Sequence, residues 1–556
     1  MSLCEPRFGD YPIPDETNRV AHAAFPHGNR YMQLRDRFGM LFDNQHFAHL
    51  FARDGKPALA PARLAVITSL QIMEGIADVA AAEAVRDRIS WKYLLGLPLE
   101  DPGFDASVLS EFRPRLLQDD AAMLLLDPVL DLCRDAGLLK VRGKQRTDST
   151  HVLGAIRDLH RLENVGETLR HALNRLAVVA PEWLRAPGPS TWGERYATRI
   201  TQYRLPKAEA ERQALAVTIG QDGYHLLTAA YAPDAPLAAR REPAVETLRR
   251  VWVQQFYRST VVEPAMLRWR RAEEQPPSAQ IISSPYDVDA RYKTKRETTW
   301  VGYTVHLTET CDDDTPSLIT QVTTTPASAD DHTVLAPIQA DLAARALQPA
   351  EHYVDSGYVD AGALVASQQE HQIRLVGPVQ ADAAWQAHTP EGLTSAQFTI
   401  DWAGHVARCP AGKQSRTWAP YTDAHGNAGI VIRFAHEDCQ GCARRAVCTK
   451  ARTEGRQLTV RPREQHIALQ EARAWQETEA FKAQYARRAG VEGTFTQANR
   501  RCDLRHAWYI GWAKTHLQNV LTAVALTLLR VLAWFAEVPR AETRLSPFAR
   551  LMKASP

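Results

Sequence analysis

The hydrophobic period changes near residue 144, and the order of segments that follows limits the possible folds more than any other feature of the chain. Upstream, apolar residues recur at helical spacing. The stretch 61–76 carries Leu64, Ile67, Leu70, Ile72, Met73 and Ile76 behind a proline suited to a first helical turn. An alanine-rich segment (77–84), a turn at Leu95-Gly-Leu-Pro98 and a further helical stretch capped by Asp105 or Ser107 follow. By contrast, Lys144-Gln-Arg-Thr-Asp148-Ser-Thr-His-Val152 alternates around Asp148 as a strand does.

Residues 155 to about 275 return to helical, Arg-, Glu- and Ala-rich sequence with a proline-rich break at 181–189. Trp300-Val-Gly-Tyr-Thr-Val-His-Leu307 and Leu318-Ile-Thr-Gln-Val-Thr-Thr-Thr325 then alternate as two strands, joined through Cys311-Asp-Asp-Asp-Thr-Pro316 into a hairpin. A helix over 331–347 comes next. His352-Tyr-Val-Asp355-Ser-Gly357-Tyr is a short strand ending in Asp355, with Gly357 turning the chain into a helix over 361–369, and Ile373-Arg-Leu-Val-Gly-Pro378 is a further strand. Strands interleaved with helices in this order predict an α/β fold, a mixed sheet flanked by helices. The expected domains are a helical unit over 1–138, for DNA binding, oligomerisation or plain packing; a core over 139–400 and 455–540 with the helical insertion at about 155–275; and a cysteine-containing insertion over 401–454.

Composition limits the partners. Hydrophobic residues at 45% and charged residues at 23% are ordinary globular values, and a 556-residue chain accommodates about two to four domains. A net charge of +2 announces no polyanion by itself. Locally, however, Arg268-Trp-Arg-Arg271 and Arg291-Tyr-Lys-Thr-Lys-Arg296 interleave cations with aromatic rings; such stretches suit phosphate contact and base stacking, although a solvated face is the commoner explanation. The polar, proline-bearing N-terminus lacks the basic-then-apolar pattern of a signal peptide, so export is not expected. The apolar run 520–535 has the length of a core helix and contains Arg530, which reads as a packing helix and not a membrane span.

Eight cysteines are too few for a disulfide scaffold and suit a reduced, cytoplasmic protein. Cys409, Cys439, Cys442 and Cys448 fall in one window, while Cys4, Cys133, Cys311 and Cys502 are scattered. The Cys439-Gln-Gly-Cys442 spacer lets two sulfurs converge on one ion, and Cys409-Pro-Ala-Gly-Lys resembles the tight turn of a zinc knuckle. The window is either a structural Zn2+ site or a set of four reduced, partly buried thiols.

The string Tyr485-Ala-Arg-Arg488-Ala-Gly-Val-Glu492 spaces a tyrosine, an arginine and a carboxylate as Y-x2-R-x3-E. On a helix this places Arg488 and Glu492 on one face with Tyr485 three residues earlier. Alone, the pattern is a surface ion pair worth a few tenths of a kcal/mol. An isolated aspartate at a strand end, such as Asp355 before Ser-Gly, is commonly a turn or helix cap. Three acids from two strands and one helix, taken together, point instead to a shared site. His151 and His306 are expected to be structural or DNA-facing, and Trp300 is expected in the core.

Thr147-Asp148-Ser-Thr-His, Tyr353-Val-Asp355-Ser-Gly-Tyr358 and the Y-x2-R-x3-E string, in that order, resemble the three acidic motifs of bacterial insertion-sequence DDE transposases, whose core is ribonuclease-H-like. The strand around Trp300 and the helical residues 30–115 are similar to the corresponding parts of those proteins, so the resemblance covers most of the chain. It implies that Asp148, Asp355 and Glu492 hold Mg2+ or Mn2+ for two-metal phosphoryl transfer. One ion would activate water or a DNA 3′-hydroxyl while the other stabilises the leaving oxygen. Tyr485 and Arg488 would hold a phosphate. One departure stands out. A major branch of the family has a basic residue where this chain has Asn499, and the contact could fall to Arg500 or Arg501 just beyond.

The resemblance further implies double-stranded DNA as partner, both terminal inverted repeats and target, and a homodimer in the synaptic complex. It places the protein at the nucleoid of a bacterial cytoplasm, without a membrane role. Two other readings are a ribonuclease-H-like nuclease without strand transfer and a non-catalytic DNA-binding protein derived from a transposase. Retention of all three acids favours an enzyme over the last.

Overall fold

The computed structural model describes residues 2–3, 11–118, 121–186, 191–259, 267–424, 426–539, 548 and 551–552. Cys4 and the end of the 181–189 break lie outside these residues. Six strands form the central sheet: β1 (Lys144–Leu153), β2 (Arg291–Lys295), β3 (Thr298–Thr310), β4 (Ile319–Pro326), β5 (Glu351–Tyr353) and β6 (Arg374–Val376). β3 runs antiparallel to β1, β5 parallel to β1 on its other edge, and β6 parallel to β5. The outer edge of β3 is shared, β2 pairing with 298–302 and β4 with 303–309, both antiparallel. This mixed order with flanking helices is a ribonuclease-H-like arrangement and matches the sequence expectation.

The alternation read from sequence explains why β3 is central. Tyr303, Val305 and Leu307 enter the main apolar cluster, and the intervening Thr304, His306 and Thr308 are also buried, so both faces of the strand are covered. Trp300 is in the core, with its indole N–H donating to the Tyr303 carbonyl at 3.0 Å. His306 is buried and hydrogen-bonded to Tyr358 and Thr325, the structural role expected for it. His151 packs against Trp300.

The apolar 520–535 run belongs to a longer helix, Trp512–Phe535, which packs against β4 and the Pro61–Glu74 helix. By length and composition it could span a bilayer, yet 78% of its apolar window is buried within the fold. Its polar residues have partners in the sheet: Thr527 accepts from the Ile319 N–H (3.3 Å) and Asn519 donates to Thr324 (2.8 Å). Through this helix the N-terminal helices and the sheet share one continuous core. The insertion has a core of its own, built around Leu169, Trp252 and Phe256.

Three details differ from the sequence reading. The insertion ends in a small hairpin, Phe256–Arg258 with Leu267–Trp269, in place of uniform helix. Arg268 there is committed internally, bonded twice to Glu274 and stacked over Tyr257, so this basic cluster is partly a structural element. Arg291–Lys295 is a strand, hidden in the sequence because Arg291, Lys293 and Lys295 alternate with Tyr292 and Thr294 and leave it no aliphatic face. The cysteine window lies in a β-rich unit, with Ser415–Thr422, Ala428–Phe434 and Gln457–Val460 forming an antiparallel sheet around Ile432, Phe434 and Leu458.

Candidate active site

The two aspartates reach one place because β1 and β5 are parallel neighbours. Asp148 sits within β1, opposite Leu307 of β3, and Asp355 lies just past the end of β5. Each is fixed through one oxygen. Asp148 Oδ1 accepts from the Ser149 N–H at 2.8 Å, and Asp355 Oδ1 from the Gly357 N–H at 2.8 Å. The second of these is the turn cap that an aspartate before Ser-Gly makes. The Oδ2 atoms remain available to a common partner.

That partner is Arg488. Its Nη2 lies 2.5 Å from Asp148 Oδ2 and 3.9 Å from Asp355 Oδ2, while its Nη1 lies 3.3 Å from Glu492 Oε1. One guanidinium thus touches acids from three separate elements. Its Nε is buried without a hydrogen-bond partner among the described residues. Asp148 is nearly buried, and burial, together with the neighbouring Asp355 charge, pushes its pKa up to about 6 against the opposing pull of Arg488, the Ser149 N–H and Lys295. Glu492 is mostly exposed.

The third motif is not one continuous α-helix. Tyr485 ends the Glu479–Tyr485 helix, residues Ala486–Ala489 form a tighter 3-10 turn, and Glu492 lies in the first turn of Gly490–Cys502. Tyr485 stacks on Phe481 and shares the electrostatic environment of Arg488, Asp355, Asp148 and Glu492. Arg500 is exposed farther along the same helix and has no ion pair with these acids. Asn499 is half-buried, its side-chain oxygen without a partner.

A buried charge cluster holds this helix against the sheet. Glu309 of β3 is fully enclosed, accepting from Arg146 of β1 (2.7 Å), Arg530 (2.7 Å) and Thr494 (2.7 Å), the last two carried by the Trp512–Phe535 and Gly490–Cys502 helices. Arg146 also donates to the Arg487 carbonyl at 2.6 Å, which fixes the 3-10 turn beside Arg488.

Sequence reasoning passed over Asp331, the first residue of the Asp331–Ala344 helix. It accepts from the Ser149 hydroxyl at 3.3 Å and pairs with Lys295 at 3.4 Å. A Cβ placed on Gly357 would stand 3.0 Å from Asp355 Oδ1 and 3.2 Å from Asp331 Oδ2, which puts these two acids side by side. The only sequence signal was its place at a helix start, where an acid reads as a favourable first-turn charge.

Among the described residues, no group of three or more His, Cys, Asp or Glu side chains is arranged as they stand to hold a metal ion. For the acidic site, Arg488 is the reason: the carboxylates close around a guanidinium. The residues nevertheless fit a hard divalent cation. Their donors are carboxylate oxygens, the Asp355 charge raises the pKa of Asp148, and a cation already pairs with both.

Cys409, Cys439, Cys442 and Cys448 line one cavity of about 30 Å3, enough for a water-sized occupant. Cys439 Sγ accepts from the Arg456 N–H at 3.4 Å, and Cys409 closes a tight turn with bonds to Lys413 and Gly412. Burial, with the other three cysteines adding to it, raises the Cys448 thiol pKa.

Comparison with known families gives two matches. Residues 408–532 match a family described as a transposase DDE domain, and residues 19–115 match a family described as a transposase domain (DUF772). Tyr485, Arg488, Glu492 and the four clustered cysteines fall inside the first; Asp148 and Asp355 lie outside both. No curated protein matches the chain.

Proposed function

We propose that the chain, whose two family matches are both to transposase domains, is an insertion-sequence DDE transposase that cuts and joins DNA at the terminal inverted repeats of its own element, using Asp148, Asp355 and Glu492. The observation that carries this reading is the convergence of these three acids on Arg488. Mg2+ or Mn2+, held by the three carboxylates, would supply activation of the attacking hydroxyl and stabilisation of the leaving 3′-oxygen.

The chain's own groups have separable tasks. The Ser149 and Gly357 N–H groups hold one oxygen of each aspartate and leave the other directed to the centre. Arg488 neutralises the acids before DNA arrives. Its free Nε, and its Nη groups once released from the carboxylates, donate to a phosphate oxygen. Tyr485, rigidly stacked on Phe481, offers its hydroxyl to the same phosphate. Arg500, exposed and unpaired with the acids, is left for a more distant backbone contact.

Holding two element ends calls for at least a homodimer in the synaptic complex, formed on nucleoid DNA in the bacterial cytoplasm. Cys409, Cys439, Cys442 and Cys448 are a separate structural Zn2+ site in this reading, supported by the cavity that the four thiols share. Purified protein without bound zinc would remove that part alone.

The test uses duplexes carrying the DNA that flanks the coding region. Asp148→Asn, Asp355→Asn and Glu492→Gln are each expected to abolish Mg2+-dependent cleavage while retaining binding to the ends. Each is also expected to lower Mn2+ affinity, read by magnetic resonance without turnover. Retained cleavage in any one variant refutes that residue's assignment. Supplying pre-cut 3′-hydroxyl ends tests joining, and cleavage without joining would indicate a nuclease.

A further inference from the structure

Arg291–Lys295 points a row of cations along one face of β2. Arg291 is turned inward and donates to the Ala279 and Ala290 carbonyls. Lys293 donates to the Ala329 carbonyl at 2.8 Å. Lys295, next in the row, reaches Asp331 at 3.4 Å, and Asp331 in turn accepts from the hydroxyl of Ser149, the neighbour of Asp148. The row therefore ends at the acidic site. An ammonium group has three donors and Lys295 uses one; its side chain is 55% exposed, so the others face the solvent from which DNA would approach. The hairpin is held by backbone pairing on β3, and Lys293 ties it to the loop before Asp331, so the position of Lys295 is set before any ligand binds.

No such group comes from position 499. Residue 499 is a half-buried asparagine, and Arg500 has no contact with the acids. We propose that Lys295, held beside the carboxylates by Asp331, binds the DNA backbone phosphate next to the bond that is cut. This supplies from β2 a cation that position 499 does not offer. The inference rests on the transposase reading given above.

The experiment measures binding of an end-containing duplex in Ca2+ by fluorescence anisotropy across a range of salt, for the wild type, Lys295→Gln and Lys295→Arg. Lys295→Gln is expected to weaken binding by about three- to ten-fold and to reduce the salt slope by about 1, and Lys295→Arg to restore both. A methylphosphonate scan of the duplex adds a readout that mere misfolding would not produce. One neutralised phosphate beside the cleaved bond should weaken the wild type yet leave Lys295→Gln unaffected, while other positions penalise both proteins equally. If Lys295→Gln binds with wild-type affinity and slope, or if every phosphate penalty persists in it, the assignment is wrong. If the wild type neither binds nor cleaves its flanking DNA, the transposase reading falls and Lys295 falls with it.

Discussion

Glu309→Ala should destabilise the sheet and the helix bearing Glu492 together. Glu309 is fully enclosed, and its carboxylate is the counter-charge to both Arg146 and Arg530, whose side chains are 12% and 15% exposed. A buried ion network is weak evidence of net stability, because desolvation consumes much of the attraction, and an apolar replacement of all its members can be nearly neutral. Removing one partner is different. Alanine would leave two guanidinium groups held only by neutral acceptors: the Arg487 and Ser317 carbonyls, Gln497 and Thr494. Breaking such a pair costs roughly 3–5 kcal/mol. At about 2–4 °C per kcal/mol for a unit of this size, that is a fall in Tm of roughly 6–20 °C. Glu309→Gln keeps the shape but not the charge and should retain most of the loss. The acid limb gives a second check. Burial pushes the Glu309 carboxyl up, but Arg530, Arg146 and the Thr494 bond outweigh it and hold its pKa below the ordinary glutamate value. Its contribution is therefore fully present above about pH 4.5 and is lost as the pH falls through the lower folded value, so the Gln variant should show a flatter acid limb. Calorimetry of the three proteins decides the matter. A Glu309→Ala protein melting within about 2 °C of wild type would show that this cluster does not brace the helix bearing Glu492.

Three further outcomes are expected. His352, fully buried between Thr147 and Gln339, has its pKa lowered to about 4 by burial. Below about pH 6.5 the unfolded chain takes up a proton that the folded one refuses, so urea titrations should show His352→Gln losing about 2 kcal/mol less than wild type between pH 7 and pH 5; equal losses would contradict this. In Gly490→Ala the new methyl would fall on the Arg146 guanidinium, which Glu309 and the Arg487 carbonyl prevent from swinging away. A net loss of about 1–3 kcal/mol should follow despite the better helix propensity, and it should shrink in a Glu309→Gln background; a stabilised protein would refute the contact. In Gly223→Ala the methyl would meet the buried Trp252 ring at the centre of the insertion, costing about 1–3 kcal/mol, visible as a lower melting transition with end-cleavage by the core retained.

The fold was legible where one physical signal dominated. β3 alternates because Tyr303, Val305 and Leu307 fill one face and Thr304, His306 and Thr308 the other face of a covered sheet, and the Trp512–Phe535 helix announced itself by its apolar length. β2 was hidden because Arg291, Lys293 and Lys295 alternate with Tyr292 and Thr294 and leave no aliphatic face to read; its register comes from pairing with β3, which no local pattern records. The hairpin closing the insertion was missed because its strands are three residues each and follow a long helix. The continuous core joining the N-terminal helices to the sheet depends on a helix from the far end of the chain, a long-range contact invisible to local periodicity.

The candidate site divides along the same line. Asp148, Asp355 and Glu492 were named as candidates from local motifs, although Asp148 lies within β1 and not at a strand end, and the Arg488–Glu492 contact at 3.3 Å is the i,i+4 pair which helix spacing predicts. The contact survives although Ala486–Ala489 tightens to a 3-10 turn, since from Gly490 onward the backbone is α-helical and brings Glu492 back over the arginine. Tyr485, on the far side of the turn, is instead oriented by stacking on Phe481, so its placement depends on a neighbouring ring and not on the motif's spacing. The charge balance was the illegible part. Arg488 reaches across to two strands, and Asp331 draws Lys295 to the same place, because β1, β5 and the Asp331–Ala344 helix converge there. Spacing can name the acids; only the sheet's parallel β1–β5 pairing determines which cations must balance them.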